Sequence, residues 1–152
     1  MFRNSTLLAA LICSAAAGTL AYAAAPAAGP KPMPAVKAEM KKIVDPASTL
    51  LFAVGGDVDP ANGPDLKPQP ASRWKAAGDA AGKLAAAGEW LRKPGNGVTN
   101  ADWIKAATEM TTLATAARKA ARAHDGAKLS QAANDLSDNC TTCHKVYKPQ
   151  TG

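Results

Sequence analysis

The sequence predicts an all-α protein, an antiparallel up-down-up-down bundle of four helices. Four stretches carry apolar residues at alternating spacings of three and four, the repeat with which an amphipathic helix faces a core. Alanine, leucine, lysine and glutamate, which favour helix, are frequent in these stretches, and no alternating β pattern competes with them. The segments between the stretches are rich in Gly, Pro, Asp and Asn, which favour loops.

The N-terminus has the organisation of a cleavable signal peptide, predicted to cover residues 1–23. Arg3 is followed by an apolar run at 7–12 and then by small residues ending in Ala-Tyr-Ala at 21–23. The run is too short for a membrane span. A lipid-modified Cys13 is the alternative, disfavoured because a bulky isoleucine precedes it. Cleavage leaves 129 of the 152 residues and predicts export to the periplasm.

A proline-rich lead-in is predicted at 24–34, followed by one helical domain at 35–152. The lead-in contains four prolines and no apolar repeat. Removing residues 1–23 deletes a single charged side chain, Arg3, so the net charge changes from +6 to +5. This excess is too small, and too poor in interleaved aromatic residues, to indicate nucleic-acid binding.

Each predicted helix has one apolar seam that should face the common core. The seams are Val36, Met40, Ile43, Ala47, Leu50 and Val54; Trp74, Ala77, Ala81, Leu84, Gly88 and Leu91; Trp103, Ala107, Met110, Ala114, Ala117 and Ala121; and Leu129, Ala132, Leu136, Cys140, Cys143 and Tyr147.

Three local signals refine the helix boundaries. Pro46 lies inside the first seam, and because apolar positions continue beyond it we expect a kink there and not a helix end. Asn100 is the predicted N-cap of the third helix. In the last connection, His-Asp-Gly at 124–126, Gly126 is expected to adopt the left-handed conformation.

The seams are rich in Ala and Gly. Small residues at facing positions either bring helices close together or leave room for a large flat ligand. We expect such a ligand near the end of the fourth helix, where the sequence has its most specific motif.

That motif is Cys140-Thr-Thr-Cys143-His144, a C-x-x-C-H signature of covalent attachment of c-type haem. Residues three and four apart share one helix face, so both thiols can reach the haem vinyl groups while His144 binds iron as proximal ligand. A zinc site would need further ligands, and His124 is the sole other histidine. A thioredoxin-like redox pair belongs to α/β domains, and a plain disulfide or two free thiols would not use the histidine. One covalent haem c accounts best for the motif, the export signal and the small-residue core together.

From Val36 to Lys148 the chain resembles the class II cytochromes c, the cytochrome c′ superfamily. The resemblance rests on "CTTCHKVYK" near the C-terminus, with "AAGEWLRKPG" and "NADWIKAA" similar to a proteobacterial branch. It implies a basic residue four positions after the proximal histidine, which is Lys148 here. It also implies one of two functions: an electron carrier with two axial ligands, or a five-coordinate protein that binds nitric oxide or carbon monoxide. Relatives often form homodimers.

Met40 is the candidate distal iron ligand. It lies in the first seam. In an up-down bundle Met40 is expected about 7.5 Å, and His144 about 6 Å, from the same end of the bundle. Met110 would be roughly 10 Å too far along the third helix, and Met33 lies in the lead-in. The resemblance implies an axial methionine about 16 residues before the glycine that closes the first helix, and Met40 precedes Gly56 by 16. His/Met ligation favours an electron carrier.

An enzyme is the least supported function, because a haem peroxidase would need a distal acid–base residue and His124, the one histidine outside the motif, is predicted at the far end of the third helix. The expected partner is another redox protein, acidic at its docking face, because five lysines are predicted to surround the haem end. They are Lys37, Lys41, Lys42, Lys145 and Lys148.

Overall fold

A computed structural model describes residues 34–62, 69–96 and 98–148 of the chain. The predicted signal peptide 1–23, with Cys13, lies outside the described residues. So do residues 24–33 of the lead-in, which include Met33, and the C-terminal residues 149–152. Among the described residues, no helix is long and apolar enough to cross a membrane.

The described residues form the four predicted helices. The first helical run consists of α1 (Pro34–Glu39), a π-helical turn (Met40–Val44) and α2 (Asp45–Asp57), followed by a short 3-10 turn (Pro60–Asn62). The other three are α3 (Ala71–Leu91), α4 (Ala101–Ala123) and α5 (Gly126–Tyr147). Helix α3 packs against α2 and α4, and α5 packs against α4 and α2. This packing of consecutive helices, closed by α5 against α2, is consistent with an up-down bundle.

Pro46 is accommodated by the π-helical turn that precedes it. The Asp45 N–H donates to the Met40 carbonyl, five residues back instead of four. Pro46 has no N–H, so the regular ladder is interrupted at this point, and a wider turn lets the chain continue as helix. The expectation that the helix continues past Pro46 is confirmed.

After the π-helical turn, Ala47, Leu51 and Val54 are buried, with Leu51 fully inaccessible, whereas Leu50 is 39% exposed. The prediction that Leu50 belongs to the core was wrong. Ala47 and Val54 face the core as predicted, and spacings of four and then three residues from Ala47 are those of an ordinary α-helix. Either of the adjacent leucines at 50 and 51 fits such a repeat, and the structure places Leu51 inward.

The other three seams face the core as predicted. The α3 seam is buried from Ala77 to Leu91 with Trp74 half-buried, and the α4 seam is buried throughout. In α5 the two cysteines are half-buried, while the remaining seam residues are buried.

The small residues bring the helices close together. A Cβ atom on Gly88 of α3 would lie 2.4 Å from Thr111 Oγ1 and 2.8 Å from the Ala107 carbonyl oxygen of α4. A Cβ atom on Gly55 of α2 would lie 2.8 Å from the Ala133 Cβ of α5. At these two contacts the glycines serve close packing of helices, the first of the two roles that the composition allowed.

The ends of α4 are set by one cap that the sequence predicts and one that it does not. The Asn100 side chain accepts a hydrogen bond from the Trp103 N–H, which confirms the N-cap. At the other end His124, and not Gly126, has the left-handed conformation, with φ 54°. Gly126 begins α5, where a Cβ atom would lie 3.0 Å from the Val58 carbonyl oxygen. The glycine therefore serves a close approach of two backbones, and the prediction about its φ was wrong.

Candidate functional site

The C-x-x-C-H motif lies in the last two turns of α5, at the bundle end where α3 terminates and α4 begins. Tyr147, at the end of α5, contacts Trp103 in the first turn of α4 with ring centroids 5.0 Å apart at 87°. Asn139, just before the motif, donates from Nδ2 to the Ala106 carbonyl oxygen at 3.1 Å. These contacts fix α4 and α5 antiparallel and place the motif beside the start of α4.

Cys140 and Cys143 are three residues apart and therefore lie on the same side of α5. Both are half-buried and pack against the hydrophobic core, and both are unpaired thiols. Burial raises the pKa of each thiol, and that of Cys143, also raised by neighbouring Cys140, reaches about 11. The two sulfur atoms are thus protonated at neutral pH and are held at the edge of the core.

His144 is adjacent to the second thiol and is exposed to solvent. Partial burial of its ring, with a smaller effect from Lys148, lowers the pKa of the imidazole, so the neutral form is favoured. Among the described residues the imidazole has no hydrogen-bond partner. A neutral imidazole has a nitrogen lone pair, which is the form that binds a metal ion.

Four residues from three helices tie the end of α5 to the rest of the bundle, a group called here the α5 clamp: Leu91, Asn100, Trp103 and Tyr147. Asn100 Oδ1 accepts from the Trp103 N–H at 2.8 Å and from the Tyr147 hydroxyl at 2.7 Å. Trp103 Nε1–H donates to the Leu91 carbonyl oxygen at 2.9 Å in a buried hydrogen bond. The clamp therefore fixes the helix turn that follows His144.

Sequence reasoning found one function of Asn100 and missed the other. The N-cap is a local signal, because acceptor and donor are three residues apart. The hydrogen bond to Tyr147 spans 47 residues, and no local pattern indicates it. The one available signal was the position of Tyr147 in an apolar seam, since the hydroxyl of a buried tyrosine usually has a hydrogen-bond partner.

Met40 is the first residue of the π-helical turn and lies half-buried against the hydrophobic core. The turn packs against α3. Helices α2 and α5 are antiparallel, with Gly55 beside Ala133 and Gly126 beside Val58. Continuing that register along both helices places Met40 level with residues 144–148.

Met110 lies further from the motif along the bundle. The Asn139–Ala106 contact fixes the register of α4 and α5, and Met110 is one turn beyond Ala106. It is therefore level with about residue 135, some 13 Å from His144 along the axis. Its side chain is buried in the core.

The five lysines predicted at the motif end are all exposed. None of them forms an ion pair within the described part of the chain. Glu39, which lies among the three lysines of the first helix, is half-buried. The described surface at this end thus has an excess of positive charge.

His124 lies at the opposite end of the bundle, at the C-terminus of α4. Its ring stacks on Trp74, with centroids 5.1 Å apart and planes at 19°. Both residues line a cavity of about 330 Å³ between the start of α3 and the end of α4. In the described ranges, no group of three or more His, Cys, Asp or Glu side chains is arranged to hold a metal ion.

A second cavity, of about 370 Å³, is a groove between α4 and α5. It is lined by three carboxylates, Glu109, Asp135 and Asp138, and it reaches Thr142 inside the motif. Neither cavity is lined by Cys140 or Cys143. Neither of these two cavities is therefore the room expected for a flat ligand beside the motif.

Comparison of the chain with protein-family models, with curated proteins and with solved structures found no match. The functional argument therefore depends on the motif and on its surroundings in the four-helix fold.

Proposed function

We propose that this protein is a periplasmic c-type cytochrome of class II type that carries electrons through one covalently attached haem. The observation that carries the proposal is the pair of unpaired, half-buried thiols on one side of α5, followed directly by a histidine without a hydrogen-bond partner among the described residues. This set of donors fits haem c: two thioethers and one imidazole from a single helix turn. Bound haem would supply an iron that alternates between the ferric and ferrous states.

The chain's own residues would hold that group in place. Cys140 and Cys143 would attach it, and His144 would bind the iron as proximal ligand. Tight contacts at Gly55 and Gly88 leave little freedom for the helices to move relative to one another. A rigid surround favours electron transfer, because little rearrangement then accompanies the change in charge.

Met40 is proposed as the distal ligand. Its level along the bundle and its half-buried side chain support this assignment. A thioether ligand raises the reduction potential of haem and fits a carrier.

A five-coordinate binder of nitric oxide or carbon monoxide is the second candidate. The contact of the π-helical turn with α3 favours it, because this contact restricts movement of the Met40 backbone. If the Met40 sulfur is thereby kept from the iron, one coordination position of bound haem would be free for a small gas.

Haem attachment is tested in a host that performs cytochrome c maturation. We expect the purified full chain to retain haem on a denaturing gel, and Cys140→Ser with Cys143→Ser to abolish it. Thr141→Ser with Thr142→Ser is the matched control and should leave the haem in place, because these are the two variable positions of the motif. A colourless wild-type protein, or colour unchanged in the double variant, contradicts the proposal.

The two candidate functions are separated by optical spectra of the ferric and ferrous protein. We expect a low-spin haem with the weak thioether-to-iron band, and conversion to a high-spin, carbon monoxide-reactive form in Met40→Ala. Met110→Ala is the control, because Met110 lies about 13 Å from His144 along the bundle axis. A wild-type protein that is already high-spin would instead support the gas-binding candidate.

A further inference from the structure

We propose that Tyr147 and Asn100 are positioning residues for the haem-binding turn, acting through the hydrogen bond between the Tyr147 hydroxyl and Asn100 Oδ1. This inference rests on the proposed function for its consequence at the haem. Its structural part, the fixing of the last turn of α5, stands on the described contacts alone.

The last turn of α5 needs an external anchor. Helix termini fray, because the final carbonyl groups have no partner further along the helix. Helix α5 ends at Tyr147, and the Lys148 N–H closes its last turn by donating to the His144 carbonyl oxygen at 3.0 Å. His144 therefore lies in the part of α5 that would open first.

Tyr147 supplies that anchor. It is 5% exposed, although its neighbours Val146 and Lys148 are exposed. Its position is four residues after Cys143 and three after His144, so it shares a side of the helix with both. Fixing the Tyr147 ring therefore fixes the rotation of the turn that presents the second thiol and the imidazole.

The partner of Tyr147 is itself held firmly. Asn100 Oδ1 also caps α4, and Trp103, which packs edge-on against Tyr147, donates to the last residue of α3. The acceptor and the aromatic ring that contact Tyr147 thus both belong to α4, and the Trp103–Leu91 hydrogen bond ties them to α3. The α5 clamp transmits the rigidity of the bundle to the haem-binding turn.

Two substitutions remove the hydrogen bond from opposite sides and leave the other contacts. Tyr147→Phe keeps the ring against Trp103. Asn100→Ser keeps a good N-cap for α4, but its shorter side chain cannot cap α4 and reach Tyr147 together. Asn96→Ala is the matched control: it removes a hydrogen bond from Nδ2 to the Trp90 carbonyl oxygen at the same end of the bundle, and that hydrogen bond does not involve α5.

The test measures amide hydrogen exchange at 145–148 and the reduction potential of the bound haem. We expect either variant to speed exchange about fivefold, the factor that corresponds to one neutral hydrogen bond of about 1 kcal/mol. We expect the same shift of potential in Tyr147→Phe, in Asn100→Ser and in the double variant, and neither change in Asn96→Ala. Unchanged exchange, or effects that add in the double variant, would overturn the inference.

The outcome separates this inference from the proposed function. If the chain carries no haem, the absence of haem counts against the cytochrome assignment. The exchange experiment still tests the α5 clamp in that case. If the chain carries haem and exchange accelerates while the potential stays constant, the clamp stabilises α5 but does not position the haem ligands, and the inference fails.

Discussion

Replacing Gly88 with alanine tests whether close contact between α3 and α4 holds the bundle together. The added Cβ would lie 2.4 Å from Thr111 Oγ1, 2.8 Å from the Ala107 carbonyl oxygen and 3.0 Å from the Thr111 amide nitrogen. Two of these three atoms belong to the backbone, so they cannot move aside without displacing α4. The helices must separate, and the loss of packing extends along their contact.

The magnitude follows from two opposing effects. Overpacking a core position costs about 1–3 kcal/mol, and backbone contacts place Gly88 at the upper end of that range. Alanine in a helix interior is favoured over glycine by about 1 kcal/mol. We therefore expect Gly88→Ala to lower the free energy of unfolding by about 2 kcal/mol.

Gly78→Ala is the matched control in the same helix. Its Cβ would meet the Ala121 Cβ at 3.8 Å and the Arg122 Cγ at 4.0 Å, which are ordinary contacts. The helix preference for alanine is then unopposed, and we expect a gain of about 0.5–1 kcal/mol. The two identical substitutions should thus change stability in opposite directions.

Denaturant unfolding followed by far-ultraviolet circular dichroism measures the free energy of unfolding of both variants. Samples of equal haem content are compared, because any bound group would add to stability. Thr111→Ala combined with Gly88→Ala should restore part of the loss, since it removes the nearest atom but leaves the Ala107 carbonyl oxygen. A Gly88→Ala variant as stable as Gly78→Ala would refute the close-packing argument.

Two further predictions concern charges. Lys145→Ala with Lys148→Ala should slow oxidation of the proposed haem by an anionic iron complex at low salt, because two attractive charges are removed. The rate should also depend less on salt, since ions screen such attraction beyond about 10 Å at 0.1 M. Lys119→Ala, at the other end of the bundle, should leave the rate unchanged, and equal effects of both changes would contradict a localised basic surface. The hydrogen bond to Lys128 holds the pKa of Asp125, the N-cap of α5, below its usual 3.8, so its stabilising contribution is present above that pH and is lost as the pH falls through the lower folded value. The Asp125→Asn variant should therefore lose less free energy of unfolding on acidification than the wild type, as measured by denaturant titrations at several pH values. An equal loss in both proteins would contradict this coupling.

Where a helix is regular, the spacing of its apolar residues was sufficient to predict which of them are buried. The α4 seam shows this, since every residue from Trp103 to Ala121 that the repeat places inward is buried. Burial of one helix face depends on spacing within that helix, and spacing is visible in the sequence. The same is true of the Asn100 cap and of the thiol spacing in the motif.

Tertiary structure decided what depends on two segments at once. Leu51 lies in the core in place of Leu50, because spacings of three and of four from Ala47 both suit a helix and only packing selects between the two leucines. Gly126 serves a close approach to Val58, a residue far away in the sequence. A Cβ atom at position 126 would crowd the Val58 carbonyl oxygen. The ligand roles of Cys140, Cys143, His144 and Met40 stay predictions, since they depend on a group that the polypeptide alone does not contain.

What the sequence by itself determined is the number of helices, their inward faces in three cases of four, and the placement of C-x-x-C-H at a helix end. What only the tertiary structure decided is the burial of Leu51 in place of Leu50, the use of glycines for close contact, and the hydrogen bond from Tyr147 to Asn100. The reason is physical: periodicity and capping are set by neighbours within about one helical turn, whereas close approach and long-range hydrogen bonds require both partners to be folded.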